Sequence, residues 1–522
     1  MKRIISVILA LTMMFAVCSF TASAESSDEE MVTVTMMISE ASSQPVRQDT
    51  APLRYIKENF GIDIQFQAVP ESDFSTKIAT VFATNDLPDL VVCSGMDQIG
   101  TYELEDMLIN LLDYKDIMPN FFSLVDADDR IAAQKTQWQV NSEGENALYC
   151  MYRLEYNRID IAPIGAIRGD LMEELNLEMP TTWDELYDVM LQIKAAYPDV
   201  YFFSSRNGTN YMLGGLAYAM GSGGFGTFDK ERGMYYEPEQ SKWLYGPTQE
   251  SFKSVVEYVA KAYADGLVDP DYATTTRDNL WEKISSGKVV YFKDNNSFIS
   301  SVFQPAFDNA GNGWYFDIIP PLANNNIETT RELRYERDWT TSIVFNKDCP
   351  EIERILKMFD WCYSYDGMMV TNFGIEGETY YLDETGYPMV VDSIIEEAKS
   401  ATDPFKAVQS VLGVGTWSWT PYINEATYLQ TAGSLFLEQG EEIRGYTEAG
   451  LIDYKAYTPA FNTDEREEVA EIELELGVIF NSNIDAFIRG EKSMDEWDSM
   501  VEELKDCGSE RLEEIFNEAY NR

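Results

Sequence analysis

Trp417 and Trp419 stand just ahead of Pro421, Trp339 follows Arg337-Asp338, and Tyr211 follows Asn207 and Asn210. A flat indole or phenol face matches the apolar face of a sugar ring, and carboxylate, amide and guanidinium groups beside it answer the hydroxyls. Glu40, Asp97, Asp294, Asn295, Arg337 and Glu376 are the polar partners of that chemistry. Asp294-Asn295-Asn296 follows the apolar run Val289 to Phe292, where a strand should end in a loop. Each aromatic has a second reading as core or lobe packing, because rings bury large areas and the chain holds 10 Trp, 31 Tyr and 27 Phe.

The 522 residues include no histidine. That removes every Ser-His or Cys-His nucleophile pair and every His metal site. Hydrolysis by two carboxylates stays open, but with 89 Asp and Glu some pair will lie close by chance. Gly221 to Gly226 fits G-x-G-x-x-G, yet nothing helical is expected after it, so it reads as a loop and no cofactor is assigned. Asn207-Gly-Thr209 fits a glycosylation sequon, a reading that lapses in a bacterial protein. No Asp-rich loop has EF-hand spacing, and neither metal ligands nor catalytic residues are assigned.

A formal net charge of −50 would repel phosphate backbones and anionic lipid, so nucleic acid is excluded as a partner. Lys2-Arg3, the apolar run Ile4 to Val17 and Ala22-Ser23-Ala24 compose an export signal over residues 1–24, with the mature chain starting at Glu25 and secreted to the extracellular cell surface. Cys18 raises a lipid anchor, but Val17 stands where such a signal needs a small residue, and Ala22-x-Ala24 is the better cleavage site. The other cysteines are odd in number and widely spaced, which favours buried free thiols over a disulfide framework. Cys349 and Cys362 are expected on one helix, too far apart to pair. No later stretch reaches the length of apolar sequence that a membrane span requires.

These residues need a scaffold, and the length predicts at least two lobes. Val32 to Glu40 and Ile62 to Ala68 alternate as strands, and a helix over 51–60 ends at Gly61. Phe82 to Val92 carries a helix end, a polar turn with Asn85 and Pro88, and the buried strand Leu90–Cys93, delivering Ser94, Gly95 and Asp97 to a cleft mouth. The start is therefore βαβαβ, a parallel doubly wound sheet that binds ligands beyond its strand ends. Residues 109–125 read as an irregular turn and short helix, and 149–156 as a strand that crosses to a second lobe. Helices are expected after Thr182, with Glu185 completing a capping box, after Pro247 and near Pro350, and again through the last sixty residues, broken at Gly490 and Gly508.

Several stretches together resemble one family, the extracellular solute-binding proteins of ABC importers, carbohydrate type, in the LplA-like branch of Firmicutes. FATNDLPDLVV over 82–92 is similar to its small-x-G-D-x-P-D segment, with Asn85 for Gly. Arg168-Gly-Asp170-Leu171 through Pro180-Thr-Thr182-Trp-Asp-Glu185-Leu186 resembles its R-x-D-W-L and P-x-T-x-x-E-L segments, with Leu171 for Trp and Asn176 for Gly. Gly266 to Pro270, Gly287-Lys288, Asn372 to Tyr380 and the terminal Ala519-Tyr-Asn-Arg522 look like further family segments. The resemblance implies a two-lobed type II α/β fold, each lobe a mostly parallel sheet flanked by helices, with the ligand cleft between them. The expected division is 25–155 with 339–415 for lobe 1, and 156–338 with 416–522 for lobe 2. It also implies a monomeric, non-catalytic carrier that closes over an oligosaccharide and passes it to an ABC permease, with Glu376 near the cleft. A peptide or other polar solute is the alternative ligand, and a secreted glycoside hydrolase the remote one.

Overall fold

The computed structural model describes residues 30–42, 44–93, 99, 102, 104–127, 139–140, 145–157, 163–223, 233–333, 342–398, 401, 404–414, 419–424, 433–453, 456, 459 and 461–522. The chain opens with β1 (Val32–Glu40), α1 (Ala51–Phe60), β2 (Ile62–Pro70), α2 (Glu71–Thr84) and β3 (Leu90–Cys93), the βαβαβ order that alternation and caps predict. Gly61 ends α1 at φ 61° and Asn85 ends α2 at φ 51°. The first of these left-handed positions suits Gly; at the second, Asn is the next most tolerant residue.

Two short strands, β4 (Met151–Tyr152) and β5 (Leu154–Asn157), lead out of the first lobe. The second lobe follows with β6 (Gly165–Arg168), α3 (Trp183–Ala196), α4 (Glu250–Ala264), β7 (Tyr291–Lys293), β8 (Phe316–Ile318) and β9 (Glu332–Leu333). The chain re-enters the first lobe on β10 (Ser342–Phe345), α5 (Ile352–Cys362) and α6 (Tyr365–Phe373), and leaves it again through β11 (Tyr422–Asn424), β12 (Ile452–Asp453) and the long α7 (Thr463–Ile488). Helices over Trp497–Asp506 and Ser509–Tyr520 finish it. Cys349 lies in the turn before α5, not on the helix with Cys362 as expected. Its Pro350 neighbour cannot extend a helix backwards.

The lobe 1 sheet has the order β2-β1-β3-β10-β4, parallel except for β10, which is antiparallel to both neighbours. Lobe 2 repeats this order. β6 is antiparallel to β7 and β8, while residues 201 and 203 bridge in parallel to Val289 and Val268. In each lobe the odd strand is the one on which the chain enters from the other lobe. An entering strand must run away from the cleft, so every strand antiparallel to it runs towards the cleft and opens its carboxyl end there. This is the type II arrangement, and it places the loops after β1, β3, 201–203, 268 and β7 on the inter-lobe side.

The two largest hydrophobic clusters lie on the two sheets, and a smaller one packs Ala166, Phe292 and Phe316 of the lobe 2 sheet against Phe303 and Phe307. Of the two largest, one joins Val34 through Leu154 to Ile343 through Tyr422, and the other joins Ile167 through Leu322 to Val469 through Phe516. Trp419 and Tyr422 belong to the first core, so it continues past the division expected at residue 415. Between the lobes the crossing segments pair with one another, β5 with β11 and β9 with β12, both parallel. Among the described residues no helix is long and apolar enough to cross a membrane, and Cys349, Cys362 and Cys507 are free thiols.

Candidate functional site

Two strand ends and a helix of lobe 2 converge on one polar cluster. The run Val200 to Phe203 is apolar and, apart from the partly exposed Tyr201, buried, and the chain then turns polar at Ser204-Ser205-Arg206. Arg206 reaches across to the end of β7, where its Nε donates to Asp294 Oδ2 at 2.6 Å and its Nη2 to Oδ1 at 3.2 Å. The Tyr211 hydroxyl donates to Asp294 Oδ1 at 3.0 Å and accepts from Arg206, and the guanidinium lies 4.8 Å from the Tyr211 ring centre. Phe298 sits on the same guanidinium at 5.4 Å. A bidentate, stacked Arg of this kind fixes both partners in direction as well as charge. Asn295 then folds the loop, its Oδ1 accepting from Ser297 N at 3.0 Å. The cluster borders a small cavity of about 20 Å³ lined by Phe203, Ser205, Tyr211, Phe292 and Asp294, the scale of one water molecule.

The next residue inward, Lys293, is buried and ion-paired to Glu332 of β9, and it also donates to Pro163 O at 3.1 Å. Burial pushes the Glu332 carboxyl above its ordinary range despite the opposing pull of Lys293. Its neighbour Arg331 holds Glu237 through bonds of 2.8 and 3.0 Å and stacks on Tyr218, whose hydroxyl donates to Asp453 of β12 at 2.8 Å. Both crossing strands β9 and β12 are thereby anchored to lobe 2 beside the strand-end loops.

On the lobe 1 side, Glu40 ends β1 and its Oε2 accepts from Val46 N at 2.9 Å, closing the turn that follows. Glu376 is exposed on a turn that bridges to Tyr380. Asp97, Arg337, Trp339 and Trp417 lie outside the described residues. The structure therefore brings Tyr211, Asp294 and Asn295 together in lobe 2 and leaves Glu40 and Glu376 in lobe 1. Two of the expected stacking rings need correction. Trp419 is only 2% exposed and packs edge-on to Phe359 at 6.2 Å, while Tyr211 is 3% exposed with Arg206 against its face. Neither offers an open ring to a ligand in this conformation, because the lobe core and the guanidinium already cover them. Arg206 was missed, although its signal is present: an apolar run followed by Ser-Ser-Arg is the same strand-end pattern as the run before Asp294.

Against known protein families, residues 39–369 match the bacterial extracellular solute-binding protein family. The chain belongs to that family. Two Bacillus subtilis (strain 168) proteins are similar to this binding protein: Lipoprotein LipO, 24% identical over 71% of this chain and 72% of its own, and the polygalacturonan/rhamnogalacturonan-binding protein YtcQ, 22% identical over 68% and 67%. The crystal structure of alginate-binding protein AlgQ2 without calcium ion superposes with a TM-score of 0.72 at 17% identity, covering 95% of this chain and 99% of that one. The family and these neighbours are binding proteins rather than enzymes.

Most of the segments that carry the family resemblance hold this binding protein's frame together. Asp89 accepts from Thr35 N at 2.7 Å and from the Thr35 hydroxyl at 2.8 Å, tying β3 to β1. Asn176, like Asn85, stands for a glycine, and both have positive φ, at 50° and 51°. Asp269 is buried and receives Lys283 Nζ at 2.7 Å and the Ser204 hydroxyl at 2.7 Å. Thr182 caps α3 by accepting from Glu185 N at 3.1 Å, and Glu185 reaches back to Thr181. Asn372 is the most instructive: its Nδ2 donates to Tyr422 O at 2.7 Å and its Oδ1 accepts from Asn424 N at 2.8 Å. It grips the backbone of the crossing strand β11 on both sides.

Proposed function

We propose that this chain is the exported capture component of an ABC sugar importer, binding an oligosaccharide between its lobes and handing it to a membrane permease without chemical change. The observation that carries the reading is the strand-end cluster of Arg206, Tyr211, Asp294 and Asn295, set on the inter-lobe side of a type II frame. Its buried carboxylate, amide and guanidinium groups are paired with one another and so fix the strand-end loops that face the cleft, and among the described residues it holds none of the arrangements that would activate a nucleophile. YtcQ, by name a binder of pectic polymers, and AlgQ2, by name an alginate binder, support a saccharide over a peptide. Ligand contacts to both lobes would favour the closed state, and only that differential affinity shifts the equilibrium. Asp97, Glu40, Glu376, Arg337, Trp339 and Trp417 are proposed as the contacts that the opposite rim and the crossing segments contribute. The export signal over 1–24, the monomeric state and cell-surface attachment, whether or not through Cys18, belong to the same proposal, and the likeness to Lipoprotein LipO is in keeping with it.

The test is the thermal midpoint of the chain from Glu25 onward across a panel of oligosaccharides, with short peptides as controls. A ligand that binds only the folded state adds about 2.7 kcal/mol of stability at a hundredfold excess over its dissociation constant. A midpoint that rises with one glycan class supports the proposal. A rise with peptides alone, or release of reducing sugar by the protein, refutes it.

A further inference from the structure

Four tyrosines form a ladder that climbs from the lobe 1 core to the inter-lobe side. Tyr363 is buried, with its hydroxyl donating to the Tyr152 carbonyl at the end of β4, and its ring lies 5.9 Å from Tyr422 of β11. Tyr422 meets Tyr156 of β5 at 5.9 Å with the planes 86° apart, and Tyr156 meets Tyr365, the first residue of α6, at 5.9 Å and 63°. The two outer rings are open, Tyr156 at 48% and Tyr365 at 55% exposure, and both are among the few large hydrophobic side chains so exposed. Edge-to-face neighbours hold such rings at fixed angles while leaving a face free.

Their place in the fold says which way they look. β5 continues β4 past the carboxyl end of the lobe 1 sheet and carries the chain to lobe 2, so Tyr156 stands on the cleft side. β11 runs parallel beside β5, with Tyr422 opposite Leu154 and Ile423 opposite Glu155, and Asn372 clamps it from α6. Carboxylates flank the pair: Asp366 follows Tyr365, and both Asp366 and Glu376 are exposed. After burial itself, the charge of Glu376 is the next influence raising the neighbouring Tyr380 hydroxyl, with smaller ones from Tyr365 and Asp366, so these groups share one neighbourhood. An open ring pair with acceptors beside it, on a chain of net charge −50, suits a ring that is apolar on one face, rich in hydroxyl donors at its edge, and uncharged.

We infer that Tyr156 and Tyr365 form a stacking platform for one uncharged sugar ring of the ligand, with Asp366 and Glu376 accepting from its hydroxyls. The inference rests on the oligosaccharide reading above and adds to it a subsite and a ligand charge. Kinship with YtcQ would suggest a uronate polymer instead; the acidic surroundings of this pair argue against one.

The test is calorimetric titration of the chain from Glu25 with maltotriose, xylotriose, mannotriose, kestose and trigalacturonate, each against wild type, Tyr156→Ala, Tyr365→Ala and the two Phe variants. The platform predicts that an uncharged trisaccharide binds wild type, that each Ala variant weakens it about three- to tenfold, and that the Phe variants stay within about twofold. Unchanged thermal midpoints of the sugar-free variants show that the fold is intact, as expected for exposed side chains. An uncharged sugar that binds the Ala variants as well as wild type overturns the platform and leaves the function standing. Binding of trigalacturonate alone overturns the ligand charge, and no binding of any saccharide to wild type overturns platform and function together.

Discussion

Among single residues, Asn372 does most to hold a crossing strand. Its side chain is 1% exposed and serves two backbone groups of β11, the Tyr422 carbonyl and the Asn424 amide. Orphaning a buried donor or acceptor costs about 1–3 kcal/mol each, so Asn372→Ala should lose about 2–4 kcal/mol in urea unfolding. A loss below half a kcal/mol would show that the grip on β11 is not needed. The motif containing Asn372 was legible in the sequence, but its role was not, because the partners sit some 50 positions later. The same limit explains Arg206, whose carboxylate is 88 residues away. Trp419 misled for another reason: proline and serine around a tryptophan look like a loop, and only the three-dimensional packing shows its ring buried against Phe359 in the core.

Among the elements, the crossing strands carry the mechanical load. β9 is tied to lobe 2 by Lys293–Glu332, a pair in which both side chains are almost fully buried. Burying two charges cancels much of their attraction, whereas removing one strands the other, at about 3–5 kcal/mol. Lys293→Met alone should therefore be strongly destabilising, and the double change Lys293→Met with Glu332→Leu should recover most of the loss. Denaturant midpoints of the two singles and the double decide this, and additive losses would show that the pair is not coupled. Local elements were the most readable level: alternation gave β1 and β2, and Gly61, Asn85, Thr182 and Gly266 marked helix ends through chemistry carried within a few residues. The pairing of β5 with β11 and of β9 with β12 was not readable, since two- to four-residue strands leave no periodic signal.

For the molecule as a whole, buried tyrosine sets the alkaline limit. Burial, with help from Glu105, pushes Tyr149 up to about 12, and burial with Asp383 does the same for Tyr387. Tyr152, Tyr291 and Tyr363 are also raised well above the ordinary value by burial. A raised folded-state value means the unfolded chain loses these protons first, at its ordinary value near 10, so the stability they lend is complete below that pH and drains away as pH rises through 10 to 12 and beyond. Each such group costs about 1.4 kcal/mol per pH unit in that window, and several act together. Unfolding should accordingly be steep above pH about 10, with tyrosinate absorbance and loss of helical signal rising at the same pH. Graded ionisation of these tyrosines in a still-folded protein would contradict this.

The odd strand in each sheet has a consequence for how the protein comes into being. Among the described residues β4 is an edge strand whose one sheet neighbour is β10, and β10 is made of residues 342–345. Until the ribosome has passed that point, the first lobe has every part of its sheet except the piece that joins β3 to β4 and the hinge. The second core waits longer still, for Val469 through Phe516, so neither lobe has all its parts until most of the polypeptide has been synthesised. A chain built this way remains threadable for longer than one whose domains finish in order, which suits a member of an extracellular family.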